Sequence, residues 1–164
     1  MLSRRSDSTD EVIADAIEAA RGHGFVGEGD VVVVTAGAAG SAPGTTNLLQ
    51  VHIIERVLAR GTGLGKRRVL GRVRRLEPPL SPEARVDHDE IVVTSRTDRT
   101  FLPVLQRAAG LVTSEGGPDD HCGIVALELG IPAVVGAKGA LETLGEGQAI
   151  VLDASKGIVC ERRV

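Results

Sequence analysis

The chain has 164 residues, a formal net charge of −3 and 42% apolar side chains, and two phenylalanines are its only aromatics. That length holds one ordinary domain or two small pieces. The mild acidity and the lack of a long basic block exclude nucleic acid as a main partner, and no apolar run reaches membrane-spanning length.

With so few aromatics the core must be built from Val, Leu, Ile and Ala, which suits an α/β chain with buried strands. Two cysteines, Cys122 and Cys160, make no disulfide framework and fit a reducing, cytoplasmic setting. The opening MLSRRSDSTDE has an arginine pair but no apolar stretch behind it, so it does not read as a signal peptide.

In chain order, Ser8-Thr-Asp-Glu11 is a capping box. Val12, Ile13, Ala16, Ile17 and Ala20 then share one helical face, and Gly22 and Gly24 stop the helix. Val31 to Val34 reads as a buried strand. A Gly/Ala/Pro loop follows over Ala36 to Thr46, then a second strand over Leu48 to Ile54. Gly61, Gly63 and Gly65 mark a linker, placed at residues 59–66. From Arg67 to Arg75, Val69, Gly71 and Val73 alternate with Arg68, Leu70, Arg72 and Arg74, a strand with one polar face. The arginine runs there are expected to be solvated.

Glu77-Pro-Pro-Leu-Ser-Pro82 breaks regular structure. His88, within Asp87-His-Asp-Glu90, reads as a solvated turn rather than a metal site, because no further ligand spacing supports it. Glu90 to Thr94 is a short strand, and Thr97-Asp98 caps a helix through Phe101, Leu102, Leu105 and Ala108. The end of the chain reads as a short helix over Lys138 to Leu144 and a closing hairpin around Lys156-Gly157.

The stretch with chemical content is Thr113 to Gly136. An apolar strand ends at Thr113, the chain turns through Gly116-Gly117, and His121 falls at the start of a helix with Ile124, Val125, Leu127 and Leu129 as its apolar stripe. Gly130 stops that helix. Free N–H groups at a helix start stabilise an anion, and a glycine pair lets the backbone approach a ligand. A histidine there can act as a nucleophile whose phosphorylated form those donors hold. The plainer reading is a surface histidine beside an N-cap, with Asp119 or Asp120 as the cap. Asp119, Asp120, His121 and Cys122 are possible metal ligands, but adjacent residues rarely point at one metal, so no metal is expected. Cys122 could also be a reactive thiolate.

Gly116-Gly117, His121 and the run Gly130-Ile-Pro-Ala-Val-Val-Gly136 resemble the phosphohistidine motif in the mobile, or swivelling, domain of phosphoenolpyruvate-utilising enzymes. The sequence departs from that motif at Asp120, where the family usually has Ser or Thr, and at Cys122-Gly123, where it usually has residues such as Ala-Ala. Farther upstream, Gly29-Asp30, Val31 to Val34, Thr35-Ala36-Gly37 and Gly44-Thr45-Thr46-Asn47 resemble the last part of the pyruvate kinase C-terminal domain. Their order is that of a bacterial pyruvate kinase with the extra C-terminal domain.

The resemblance implies an α/β chain in three parts: a partial pyruvate kinase C-terminal domain (1–58), a linker (59–66) and a β/β/α swivelling domain (67–164). It implies His121 as phosphate carrier, with Gly116, Gly117 and Cys122 holding the phosphate and Thr113, Glu115 and Asp120 in support. Gly37, Gly44, Thr45 and Thr46 would lie near an effector loop. The expected partners are phosphoenolpyruvate or another phosphoryl donor, a pyruvate kinase barrel in cis or in trans, and a second copy in a homo-oligomer. Mg²⁺ and K⁺ would belong to that barrel, which nothing in these residues resembles, so no cofactor is expected here and no pyruvate kinase turnover from this chain alone. The alternative is a structural or regulatory module in which His121 is not phosphorylated.

Overall fold

The computed structural model describes residues 9–36 and 48–162. The Ser8 cap and the loop containing Gly37, Gly44, Thr45 and Thr46 lie outside the described residues. The chain divides into two compact units, Met1–Arg56 and Val57–Val164.

In the first unit, helix α1 spans Thr9–Gly22, with Asp10 and Glu11 in its first turn and Arg21 in its last, complementing the helix dipole. Ile13 is its buried anchor. Strands β1 (Val31–Ala36) and β2 (Leu48–Ile53) form an antiparallel ribbon in which Val31 faces Ile53, Val33 faces Val51 and Thr35 faces Leu49. The ribbon is closed by Gly29 N–H to Ile54 O (2.7 Å) and Ile54 N–H to Asp30 O (2.8 Å). β1 was expected to be buried throughout. Instead Val31, Val33, Leu49, Val51 and Ile53 are all exposed, while the alternate residues are half-buried. Cross-strand partners share a face, so a two-stranded ribbon shielded on one side leaves the whole opposite row open.

The second unit is built on eight strands. These are β3 (Val57–Arg60), β4 (Thr62–Leu64), β5 (Arg68–Arg75), β6 (Glu90–Thr94), β7 (Gly110–Thr113), β8 (Ala133–Val135), β9 (Ala149–Asp153) and β10 (Ile158–Glu161). Their order is β3-β10-β9-β5-β6-β7-β8-β4. β5 to β8 run parallel, and the strands on either flank pair antiparallel. β5 keeps the expected alternation, with Gly71 and Val73 buried and Arg68, Leu70 and Arg72 exposed. Its arginines meet solvated acids, Arg72 with Asp89 at 2.8 Å and Arg74 with Glu146 at 3.0 Å.

The expected linker is not one. Residues 59–66 hold the second half of β3 and all of β4, at opposite edges of the sheet. Their glycines serve close packing rather than flexibility. A β-carbon on Gly61 would lie 2.5 Å from Val135 O, and one on Gly63 would overlap the carbonyl of Ala154.

Residues alternate along the parallel strands between two cores. Val92, Leu111, Ala133 and Val135 pack with Phe101, Leu105, Val125 and Ala126, which come from a 3-10 turn (Arg99–Phe101), α2 (Leu102–Leu105) and α3 (His121–Leu129). Ile91, Val93, Val112 and Val134 pack with Ile150, Leu152 and Val159 and with α4 (Ala140–Thr143). The helix expected to run through Ala108 ends sooner, because the chain must enter β7 beside Glu90, where Ala109 N–H meets Glu90 O at 2.8 Å. Among the described residues no helix is long and apolar enough to cross a membrane.

The β9–β10 hairpin turns on Asp153. Burial opposes its charge, but the Ser155 hydroxyl (2.6 Å), the Lys156 and Ser155 amides (3.1 Å each) and the nearby Lys156 ammonium outweigh that and hold the carboxyl below its usual range. This contribution to stability is present above the unfolded carboxyl's ionisation, about pH 4, and is lost as pH falls through the lower folded value. Asp153→Asn should flatten that part of the acid limb, read as urea midpoints on either side of it. An unchanged pH profile would refute the assignment.

Candidate active site

The C-terminal ends of β6, β7 and β8 meet at one edge, the usual place for a site on parallel strands. Thr94 and Thr113 end β6 and β7, sit opposite each other and are fully buried. Each hydroxyl donates to a carbonyl two residues on, Thr94 to Arg96 O (2.9 Å) and Thr113 to Glu115 O (2.8 Å), so both exits bend alike. Ser114 N–H to Thr94 O and Glu115 N–H to Ser95 O, both 3.0 Å, hold the two loops side by side, and Ala137 N–H to Thr113 O (2.8 Å) ties in the exit of β8. Thr113 and Glu115 thus shape the exit of β7, Glu115 through its backbone while its side chain is exposed. Gly136, at φ +66°, runs beneath the glycine loop, where a β-carbon would stand 2.8 Å from Gly116 O.

His121 is the first residue of α3 and its ring is exposed. Asp120 occupies the N-cap position in extended conformation, but its carboxylate does not cap the helix. It turns back and accepts the Gly117 N–H at 2.7 Å. Ile124 N–H makes the first intrahelical bond, to Asp120 O (3.0 Å). The amides of His121, Cys122 and Gly123 therefore have no partner within the helix and point toward its mouth.

This differs from the sequence reading in three ways. The Gly117 N–H, expected for phosphate, is already engaged by Asp120. The space left by the glycine pair is filled by the chain itself, since a β-carbon on Gly116 would meet Cys122 Sγ at 3.0 Å and Asp120 Oδ2 at 3.2 Å. Cys122 is no exposed thiolate; it is buried, with Sγ 3.8 Å from both Gly117 O and Thr113 Oγ1. Any contact of Cys122 with an anion must use its amide. The stripe of α3 is also shifted: Cys122, Val125 and Ala126 face inward, and Ile124 and Leu127 are exposed.

Sequence reasoning missed the partner of the histidine. Thr97 Oγ1 lies 2.9 Å from His121 Nδ1. In sequence Thr97 reads only as part of a helix cap, yet Asp98 alone does the capping, accepting the Thr100 N–H at 2.8 Å and the Thr100 hydroxyl. A spare hydroxyl beside a sufficient cap was the available signal. Asp98 is also an acid that His121 acts on: the Thr100 hydroxyl and then the Thr100 amide hold its carboxyl below the usual range against desolvation, and His121 and Arg96 add to the effect. The neighbouring Phe101 is fully buried and anchors this loop.

Residues 86–157 match the family described as PEP-utilising enzyme, mobile domain, and residues 1–52 match pyruvate kinase, alpha/beta domain. The chain is 38% identical to a pyruvate kinase of Sporosarcina psychrophila over 159 residues, covering 97% of this chain and 27% of that protein. A pyruvate kinase of Bacillus licheniformis is 38% identical over 156 residues, 95% of this chain and 26% of the relative. The chain thus spans about a quarter of the length of these relatives. Among solved structures, aconitase X of Thermococcus kodakaraensis is similar with a TM-score of 0.52 at 17% identity, over 64% of this chain and 98% of that one, a likeness of fold alone.

Proposed function

We infer that this chain, which belongs with the C-terminal regions of bacterial pyruvate kinases, is a segment of a pyruvate kinase-type phosphotransferase and carries a phosphoryl group on Nε2 of His121. The observation that carries this reading is the 2.9 Å contact between Thr97 Oγ1 and His121 Nδ1. With Nδ1–H donating to Thr97, the lone pair of an exposed ring sits on Nε2.

That lone pair attacks the phosphorus of a donor such as phosphoenolpyruvate. The Nε2–P bond forms as the P–O bond to the donor breaks, and the leaving oxygen keeps its electron pair. The ring becomes an Nε2-phosphoryl imidazolium whose Nδ1–H stays on Thr97. The amides of His121, Cys122 and Gly123, at the positive end of α3, are the donors this reading assigns to the phosphoryl oxygens. An acceptor attacking from the opposite side reverses the steps.

A second reading is a structural or regulatory module with an unmodified His121. One observation favours it: Asp120 fills the Gly117 amide with a carboxylate of this chain's own.

Labelling with radiolabelled phosphoenolpyruvate, with and without a general phosphocarrier protein, decides between the two. Acid-labile, base-stable label that disappears in His121→Ala and persists in Cys122→Ala is the expected result. No label on the unmodified chain would sink the carrier role and leave the module. Thr97→Val, which removes the hydroxyl and keeps the shape, should slow labelling about fivefold, the worth of one ordinary hydrogen bond. Labelling of Thr97→Val at the rate of the unmodified chain would mean the threonine does not orient the ring.

A further inference from the structure

We propose that Asp120 is a built-in electrostatic gate on His121, a positioning residue that limits how far the ring becomes phosphorylated. This rests on the carrier reading above. Three observations combine. Asp120 stands directly before His121 at the N-cap of α3, where a side chain ordinarily satisfies the helix amides, and its carboxylate leaves them unsatisfied. That carboxylate sits on the loop instead, 2.7 Å from Gly117 N. It also lies in the space beside Gly116, where a β-carbon would meet it at 3.2 Å.

The loop amide that would otherwise face a phosphoryl oxygen is therefore held by an internal anion. The same arrangement keeps a negative charge on the residue directly before His121, on the loop that leads to the ring. A unit charge and a phosphoryl dianion separated by ~6 Å in water repel enough to change an equilibrium about tenfold. The helix amides attract the phosphoryl group and Asp120 opposes it, so His121 would be loaded weakly and unloaded readily.

The test uses the full chain and phosphoramidate as donor at neutral pH. The Nε2 lone pair of His121 attacks the phosphorus of H₃N⁺–PO₃²⁻, the N–P bond of the donor breaks, ammonia leaves with the electron pair, and Nδ1–H stays in place. His23 and His88, both exposed, are internal standards, and site occupancy is read by phosphorus NMR with peptide mapping under alkaline conditions.

Asp120→Asn keeps an oxygen acceptor for the Gly117 N–H but removes the charge. It should raise occupancy of His121 about tenfold relative to His23 and His88, and the gain should shrink at high salt, where the charge is screened. Asp119→Asn, at the exposed neighbour, should change occupancy less than about twofold. Asp120→Ser serves the same purpose should the asparagine variant fold poorly. Equal occupancy in Asp120→Asn and the unmodified chain overturns the gate and leaves the carrier standing. So does an equal gain in Asp119→Asn, which would make the effect one of general charge. Labelling of His23 and His88 with none on His121 in any variant overturns the carrier and the gate together.

Discussion

Phe101→Ala is expected to destabilise the second unit by about 4 kcal/mol, the cost of emptying a large buried aromatic site. Phe101 is fully buried and is one of only two phenylalanines in the chain. It packs in the core that also contains Leu105, Val125 and Ala126, so its ring joins the α2 and α3 layer. It also closes the 3-10 turn that Asp98 caps, one residue past Thr97. Two readouts should therefore move together. The urea midpoint should fall, and under the proposed carrier role labelling of His121 should slow in protein that is still folded, because the loop holding Thr97 against Nδ1 loses its anchor. A loss of stability below ~1 kcal/mol would mean that the core collapses around the gap and that Phe101 does not set the loop.

Gly123→Ala is expected to cost about 2 kcal/mol, against the direction that helix propensity gives. Alanine favours a helix over glycine by roughly 1 kcal/mol, so sequence alone recommends the substitution. The structure opposes it. A β-carbon on Gly123 would overlap the carbonyl oxygen of Pro118 and lie 2.5 Å from its carbonyl carbon and 2.7 Å from its Cα. These are backbone atoms, so no side chain can swing aside, and relieving the overlap means shifting the loop from Gly116 to Asp120. Overpacking of this kind costs ~1–3 kcal/mol or more, enough to reverse the propensity gain. The shift should also break the Asp120–Gly117 contact. Denaturation by urea measures the first effect, and the Gly117 amide resonance reports the second. A Gly123→Ala protein as stable as the original would show that the loop moves freely and that the glycine was incidental.

Elements were legible where a period or a stop signal was strong. The alternation in β5 predicted which residues point inward, and the Gly130 stop sits in the left-handed conformation, at φ 64°. The errors fell where partners are distant. Gly61 and Gly63 look the same in sequence whether they loosen a linker or let two backbones touch, and only Val135 and Ala154 distinguish the cases. The valine run of β1 looks like a strand buried on both faces, and its exposure depends on what lies beside it. In α3, four apolar residues suggested a stripe, but the sheet buries Cys122, Val125 and Ala126, which leaves His121 on the exposed side.

The site divides along the same line. The amino-acid order determined that a histidine would open a helix after a glycine turn, because cap, turn and stop signals act over a few residues and need no partner from elsewhere. It also determined the strand–turn–helix–strand order that puts this histidine at the edge of a parallel sheet. Which nitrogen of the ring is held, which way Asp120 points and whether Cys122 is open were decided by the tertiary structure. Thr97 reaches His121 across 24 positions, and the Asp120 carboxylate chooses between helix and loop by whichever amide the packed glycines bring within reach. Contacts of that kind are set by where β6, β7 and β8 end beside one another, a property of the assembled sheet that no single stretch of the chain contains.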